Sequence, residues 1–67
     1  MKGVETWQAD YGKIRITFQA RRKGGFNLEY SDKTTGKILS NEFTEETDVK
    51  KVKLIGQNYA LNLLAQN

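Results

Sequence analysis

From Lys13 to Arg21 the chain alternates without a break: Ile14, Ile16, Phe18 and Ala20 fall on one side, Lys13, Arg15, Thr17, Gln19 and Arg21 on the other. A period of two sustained over this stretch describes a strand with one buried and one wet face. Wound as a helix, the same residues would scatter their apolar side chains around the axis. Phe26, Leu28 and Tyr30 repeat the pattern with Asn27, Glu29 and Ser31 opposite. The residues between the two runs, Arg22-Lys23-Gly24-Gly25, include two that accept positive φ, so an antiparallel hairpin is expected. Such a hairpin needs a cover for its apolar face, and the rest of the chain must supply it.

The turn "DKTTGK" at residues 32–37 opens with Asp and carries Gly36 where a left-handed residue closes it. A third strand is expected over Ile38 to Phe43, with Leu39 and Phe43 toward the core; Asn41 interrupts that face, which suggests a bulge or an edge position. Before the hairpin, Trp7, Ala9 and Tyr11 alternate with Thr6, Gln8 and Asp10, so residues 1–11 hold either a fourth strand or an arm. A helix is expected over 44–66, capped by Thr44 or Thr47, with Glu45, Glu46 and Asp48 at the positive end of its dipole. Val49, Val52, Ile55, Tyr59 and Leu63 form its stripe, widened by Ala60 and Leu64. Gly56 costs roughly 1 kcal/mol in a helix interior. One helix, straight or kinked at Gly56, is therefore weighed against a strand at 49–55 followed by a short helix, and one helix is favoured. The expected fold is a single α+β domain: a three- or four-stranded antiparallel β-meander, its clear part over 13–43, packed against one C-terminal α-helix.

With 67 residues, no Cys and no His, the chain sits near the lower size limit for a single core and has no disulfide, thiolate, imidazole or usual zinc site to draw on. Its longest apolar runs, Tyr59-Ala60-Leu61 and Leu63-Leu64-Ala65, are three residues long. No membrane span or signal-peptide core is expected, which points to a soluble cytoplasmic protein. "TTGK" lacks the upstream glycine of a phosphate-binding Walker loop. General acid–base chemistry would rest on ordinary carboxylates. Neither catalysis, a metal nor a cofactor is expected. Glu42, Glu45, Glu46 and Asp48 match no calcium loop and suit a helix start.

The charge is informative through its placement. Residues 12–37 hold Lys13, Arg15, Arg21, Arg22, Lys23, Lys33 and Lys37 against Glu29 and Asp32, whereas residues 38–48 carry four acids and no base. The basic excess lies on the hairpin and would attract a polyanion or an acidic protein surface. Arg21-Arg22-Lys23-Gly24-Gly25 reads either as a phosphate-contacting loop, with glycine N–H groups free to approach an anionic backbone, or as an ordinary solvated tip. Lys13, Arg15, Gln19 and Arg21, with Asn27 across the hairpin, read either as a groove-reading face or as the polar side that any one-sided sheet presents. Three cations and no anion on one strand face favour function. Glu29 counts against it unless it accepts from a cytosine amine or pairs with Arg15 or Arg21. Among the aromatics, Phe18, Phe26 and Phe43 belong to the core by pattern, while Trp7 and Tyr11 are candidates for stacking single-stranded bases.

The order of strand, basic turn, strand, "DKTTGK" turn, strand ending in "NEFTEE", then helix resembles the three-stranded-sheet-plus-helix DNA-binding domains of the AP2 type. The arm-binding N-terminal domains of phage and transposon integrases are similar. The resemblance spans residues 13–64. It implies a sheet in the major groove with the helix behind it, Lys13, Arg15, Gln19, Arg21 and Asn27 toward the bases, and Arg22, Lys23 and Lys37 on phosphates. Glu29 and the lysines at the helix start depart from that pattern. The expected function is a non-enzymatic DNA-binding module of a phage, mobile element or regulator, with duplex favoured over single strands. The alternative is a protein-binding or homodimerising adaptor or inhibitor that acts through an edge strand or the helix, since Leu61 lies off the helical stripe and would stay exposed in a monomer.

Overall fold

A computed structural model describes residues 5–66. Four strands, β1 (Thr6–Tyr11), β2 (Ile14–Ala20), β3 (Phe26–Asp32) and β4 (Ile38–Thr44), form one antiparallel sheet in the order β1-β2-β3-β4, and α1 (Val49–Ala65) follows. This is the α+β meander with a C-terminal helix that the alternation implies. Residues 6–11 are a true fourth strand, with Trp7 opposite Phe18 and Tyr11 opposite Ile14; residues 1–4 lie outside the described part.

The core follows from the period of two. Ile14, Ile16 and Phe18 on β2 and Phe26, Leu28 and Tyr30 on β3 are buried beneath the helix, joined by Val52 and Ala60 of α1. Each large side chain removed from water in this way contributes on the order of 2 kcal/mol. Trp7 stacks on Phe18 with ring centroids 5.2 Å apart and meets Phe26 edge-on at 5.6 Å. Trp7 and Tyr11 thus pack on the helix side of the sheet, opposite Arg15, and the stacking role expected of them does not fit their positions.

The helix is the single one favoured over a strand at 49–55, and it corrects two expectations, its start and its buried stripe. It starts at Val49, not within 44–47, because β4 continues to Thr44 and Asp48 is the cap: its Oδ1 accepts from the Lys50 N–H at 3.0 Å. Glu46 also acts before the helix, accepting from the N–H groups of Thr47 and Asp48. Residues 49–55 are helical, and α1 runs unbroken through Gly56. Its buried line is Val52, Gly56 and Ala60, while Val49 is exposed. Small residues at this i, i+4, i+8 spacing let the helix axis lie close to the sheet. A Cβ on Gly56 would stand 3.0 Å from the Phe18 ring, so the residue that weakens the helix locally is required by its packing. Leu54 and Leu61 stand on the outward side of α1, both exposed.

The largest correction concerns β4. Its residues Ser40, Glu42 and Thr44 pair with Tyr30, Leu28 and Phe26, and so share the helix side of the sheet. Leu39 and Phe43, expected in the core, are instead exposed. A register irregularity at Tyr30/Ser31, where Ser31 pairs with Ile38, shifts the strand's alternation. The helix packs against β1, β2 and β3, so β4 is an edge strand that α1 scarcely covers. Polar residues are tolerated on its helix side because tyrosines satisfy them. Tyr30 donates to Glu42 Oε1 at 2.6 Å, and the Ser40 and Tyr59 hydroxyls lie 2.8 Å apart. Burial, then the bond to Glu42, hold the Tyr30 phenol protonated far above its ordinary range.

Candidate nucleic-acid interface

The face of the sheet turned away from the helix is built in rows by the strand register. One row runs Thr6, Gln19, Asn27, Phe43; the next runs Gln8, Thr17, Glu29, Asn41; a third runs Asp10, Arg15, Ser31. The β2, β3 and β4 members of the first two rows, together with Glu42, line a concavity of about 480 Å³ bounded by Thr17, Gln19, Asn27, Glu29, Asn41, Glu42 and Phe43, within the size range of small-ligand sites. Its lining is neutral and hydrogen-bonding except for Glu29 and Glu42. Gln8 Nε2 donates to Thr17 Oγ1 at 3.3 Å, which fixes one edge.

Phe43 closes one end of this concavity. Its ring is 47% exposed, and the Arg21 guanidinium lies over it, 4.5 Å from the centroid. An exposed phenylalanine under an arginine forms a flat cationic and aromatic platform. Gly25 holds the ring in place from below. That residue is buried at φ +81°, and a Cβ there would come within 2.3 Å of the Thr44 carbonyl oxygen and 2.9 Å of the Phe43 ring. Gly25 is therefore committed to close packing beneath the ring. The Gly24 N–H is likewise occupied, donating to the Arg21 carbonyl at 3.1 Å, so the glycine N–H cradle expected of this loop is not formed by Gly24.

The eight candidate residues divide between the two ends of the face. Gln19 and Asn27 sit directly opposite each other and exposed, with Arg21 beside them and Arg22 and Lys23 exposed in the turn. Lys13 and Lys37 lie in the turns at the other end, roughly 20 Å away at about 3.3 Å per residue. Arg15 is brought near neither group as a free cation. Its Nε donates to Asp10 Oδ1 at 3.0 Å, and Lys33 Nζ reaches Asp10 Oδ2 at 3.1 Å. The bonds from Arg15 and then Lys33 hold the Asp10 carboxyl below its ordinary value, and the same pairing raises Arg15. Asp32 is lowered chiefly by the backbone N–H of Thr34, to which its Oδ1 lies 2.7 Å away.

Phe43 was assigned to the core by pattern, and the only hint against that was Asn41 interrupting the supposed apolar face. Of the two ways Glu29 could suit a nucleic-acid face, accepting from a cytosine amine or pairing with Arg15 or Arg21, the second is not formed: Arg15 is taken by Asp10, and Arg21 lies over Phe43. Compared with models of known families, with curated proteins and with solved structures, the chain matches none, so its function is read from this face.

Proposed function

We propose that the chain is a non-enzymatic nucleic-acid-binding module acting through the outer face of its sheet, with single strands preferred over duplex. The observation that carries this reading is the pair Phe43 and Arg21: a partly exposed aromatic residue on a hydrogen-bonding sheet face with a guanidinium lying over its ring, both able to stack a base. A base has a π-face whatever its identity, and stacking on an aromatic side chain contributes on the order of 1–3 kcal/mol per base in single-strand binding. Gln19, Asn27 and Asn41 offer donors and acceptors beside the ring, and Arg21, Arg22 and Lys23 offer charge for the backbone that carries the base. The outward polar face with the helix behind it is also the disposition that the AP2-type resemblance implies. Major-groove reading, however, calls for arginines extended toward guanine, and Arg15 is folded back onto Asp10. That contrast favours the strand over the duplex.

Fluorescence anisotropy with labelled 12-mers at low salt tests the reading. A mixed single strand should bind several-fold more tightly than its duplex, with log affinity falling against log salt at a slope of roughly −2 to −3 for three or four neutralised phosphates. Phe43→Ala should weaken single-strand binding about tenfold while the thermal melt shows a folded protein. Absence of binding to any nucleic acid at low salt by the folded chain would remove the proposal.

A further inference from the structure

Two carboxylates, Glu29 and Glu42, are among the residues lining the concavity, a feature that a simple phosphate-binding surface would avoid; Glu42 accepts from the Tyr30 hydroxyl, and Glu29 is left without such a partner among the described residues. Glu29 sits in the middle of the sheet, half-buried, between Thr17 and Asn41 and diagonal to Phe43. Among the described residues it makes neither a side-chain hydrogen bond nor an ion pair, and both arginines within sequence reach are engaged elsewhere. Its carboxylate oxygens are therefore open to a ligand rather than committed to a contact within the fold. Here Glu29 lines the same concavity as Phe43, over whose ring the Arg21 guanidinium lies.

Resting on the single-strand reading above, we infer that Glu29 reads an unpaired guanine whose ring stacks on the Phe43–Arg21 platform. The argument is one of complementary donors. An ionised carboxylate only accepts, through two oxygens side by side. The matching base edge must present two adjacent N–H donors with no acceptor between them, and guanine does so with N1–H and its N2 amine. Adenine and cytosine each place a ring nitrogen acceptor next to the amine. Thymine and uracil flank their single N–H with two carbonyls that would repel the carboxylate. In a duplex, N1–H and N2–H of guanine are occupied by cytosine, so the same carboxylate that selects guanine also selects for an unpaired strand. Gln19, Asn27 and Asn41 border the site with groups able to meet the remaining carbonyl and ring nitrogen. The negative charge repels phosphate, so strands without a guanine gain nothing from Glu29 and are disfavoured by it.

The test uses the full chain and labelled 12-mers: oligo(dT), the same strand with one central dG, and the same strand with inosine there. Inosine keeps N1–H and lacks the N2 amine. We expect the dG strand to bind about tenfold more tightly than oligo(dT), in line with the discrimination of a bidentate base contact, and the inosine strand to fall between them. Glu29→Gln should lower affinity for the dG strand and raise it for oligo(dT), closing the gap from both sides. A role in packing alone, or in general repulsion, would shift all strands in one direction. Equal binding of dG, inosine and dT strands by the wild-type chain overturns the guanine assignment and leaves single-strand binding standing. A preference that survives in folded Glu29→Gln overturns it as well. Failure of every strand to bind sinks both readings. If Glu29→Gln does not fold, the inosine comparison on the wild-type chain decides alone.

Discussion

The two ends of the outer sheet face are built on opposite plans. At the hairpin end, Arg21, Arg22 and Lys23 are exposed cations with no carboxylate within ion-pair distance among the described residues, and Arg21 spends its contact on an aromatic ring. At the other end, Arg15 and Lys33 close on Asp10, and the Asp32 side chain is tied to the turn backbone. The first end is available to a ligand, and the second has paired two of its cations, Arg15 and Lys33, internally. Cation count alone would favour the other end, four (Lys13, Arg15, Lys33, Lys37) against three, so what sets the hairpin end apart is the absence of an acid paired with its bases among the described residues. A surface pair of this kind contributes little to stability, but it removes two cations from the field that a polyanion would meet.

Glycine provides the strongest way to break this comparison, because each end has one at nearly the same backbone angle. Gly25 lies at φ +81° beneath Phe43 and Thr44, whereas Gly36 lies at φ +77° with nothing within 4 Å of a Cβ. Alanine at Gly36 should cost about 1 kcal/mol, the strain of a left-handed L-residue. Alanine at Gly25 adds a backbone clash and should cost roughly 2–4 kcal/mol. Urea melts of the two variants measure the difference directly. Gly25→Ala should also weaken oligonucleotide binding beyond any unfolding, since it pushes the Phe43 ring from its seat. Equal destabilisation by the two substitutions would show that backbone strain alone, not the packing under Phe43, organises the hairpin end.

Charge removal at each end comes next in size. Replacing Arg21 and Lys23 together by alanine should weaken single-strand binding about tenfold and flatten the salt slope by roughly 1.4, two contacts at about 0.7 each. Replacing Lys13 and Lys37 together should change affinity by less than about threefold. Anisotropy titrations across a salt series yield both numbers. A larger effect from the Lys13 and Lys37 pair would mean that the strand runs across the far end and that the hairpin tip is a solvated turn.

What was legible in the sequence divides along a similar line. β2 and β3 are central strands under the helix, so burial dictates their residue types, and Ile14 to Tyr30 announce both register and facing. β4 is an edge strand that the helix hardly covers. Its helix side can therefore carry Ser40 and Glu42 once Tyr59 and Tyr30 satisfy them, and nothing local says so. The shift at Tyr30/Ser31 then turns Phe43 outward, reversing the face an alternation rule would assign. The start of α1 was obscured in the same way, because Thr44, Thr47 and Asp48 are all competent caps and only the length of β4 selects Asp48. At the site, Gln19, Arg21 and Asn27 were readable because they belong to the regular hairpin. Phe43 was not, because its position depends on a pairing irregularity. The ion pair on Arg15 depends on the register of β1, which the alternation of Trp7, Ala9 and Tyr11 left open between strand and arm.

The smallest effect bears on whether the closed end can be opened. Asp10→Asn removes the acid that holds Arg15 and Lys33, and since all three side chains are solvent-accessible, urea melts at neutral pH should shift very little. Binding should nevertheless tighten about twofold, with the salt slope steeper by up to roughly 0.7, as a freed Arg15 becomes available to phosphate. The pH dependence of stability checks the same contact from the other side. The Asp10 pKa is lowered below its ordinary 3.8 by Arg15 and Lys33, so the pair's contribution is fully present above that value and is lost as pH falls through the depressed folded pKa. Asp32, lowered by the Thr34 backbone, behaves alike. Wild-type stability should therefore fall more steeply below pH 3.8 than that of Asp10→Asn, with the remaining acid limb in the variant belonging to Asp32 and the other carboxylates. Identical acid limbs, together with unchanged salt slopes, would mean that Asp10 holds neither base in solution and that the two ends differ less than their geometry indicates.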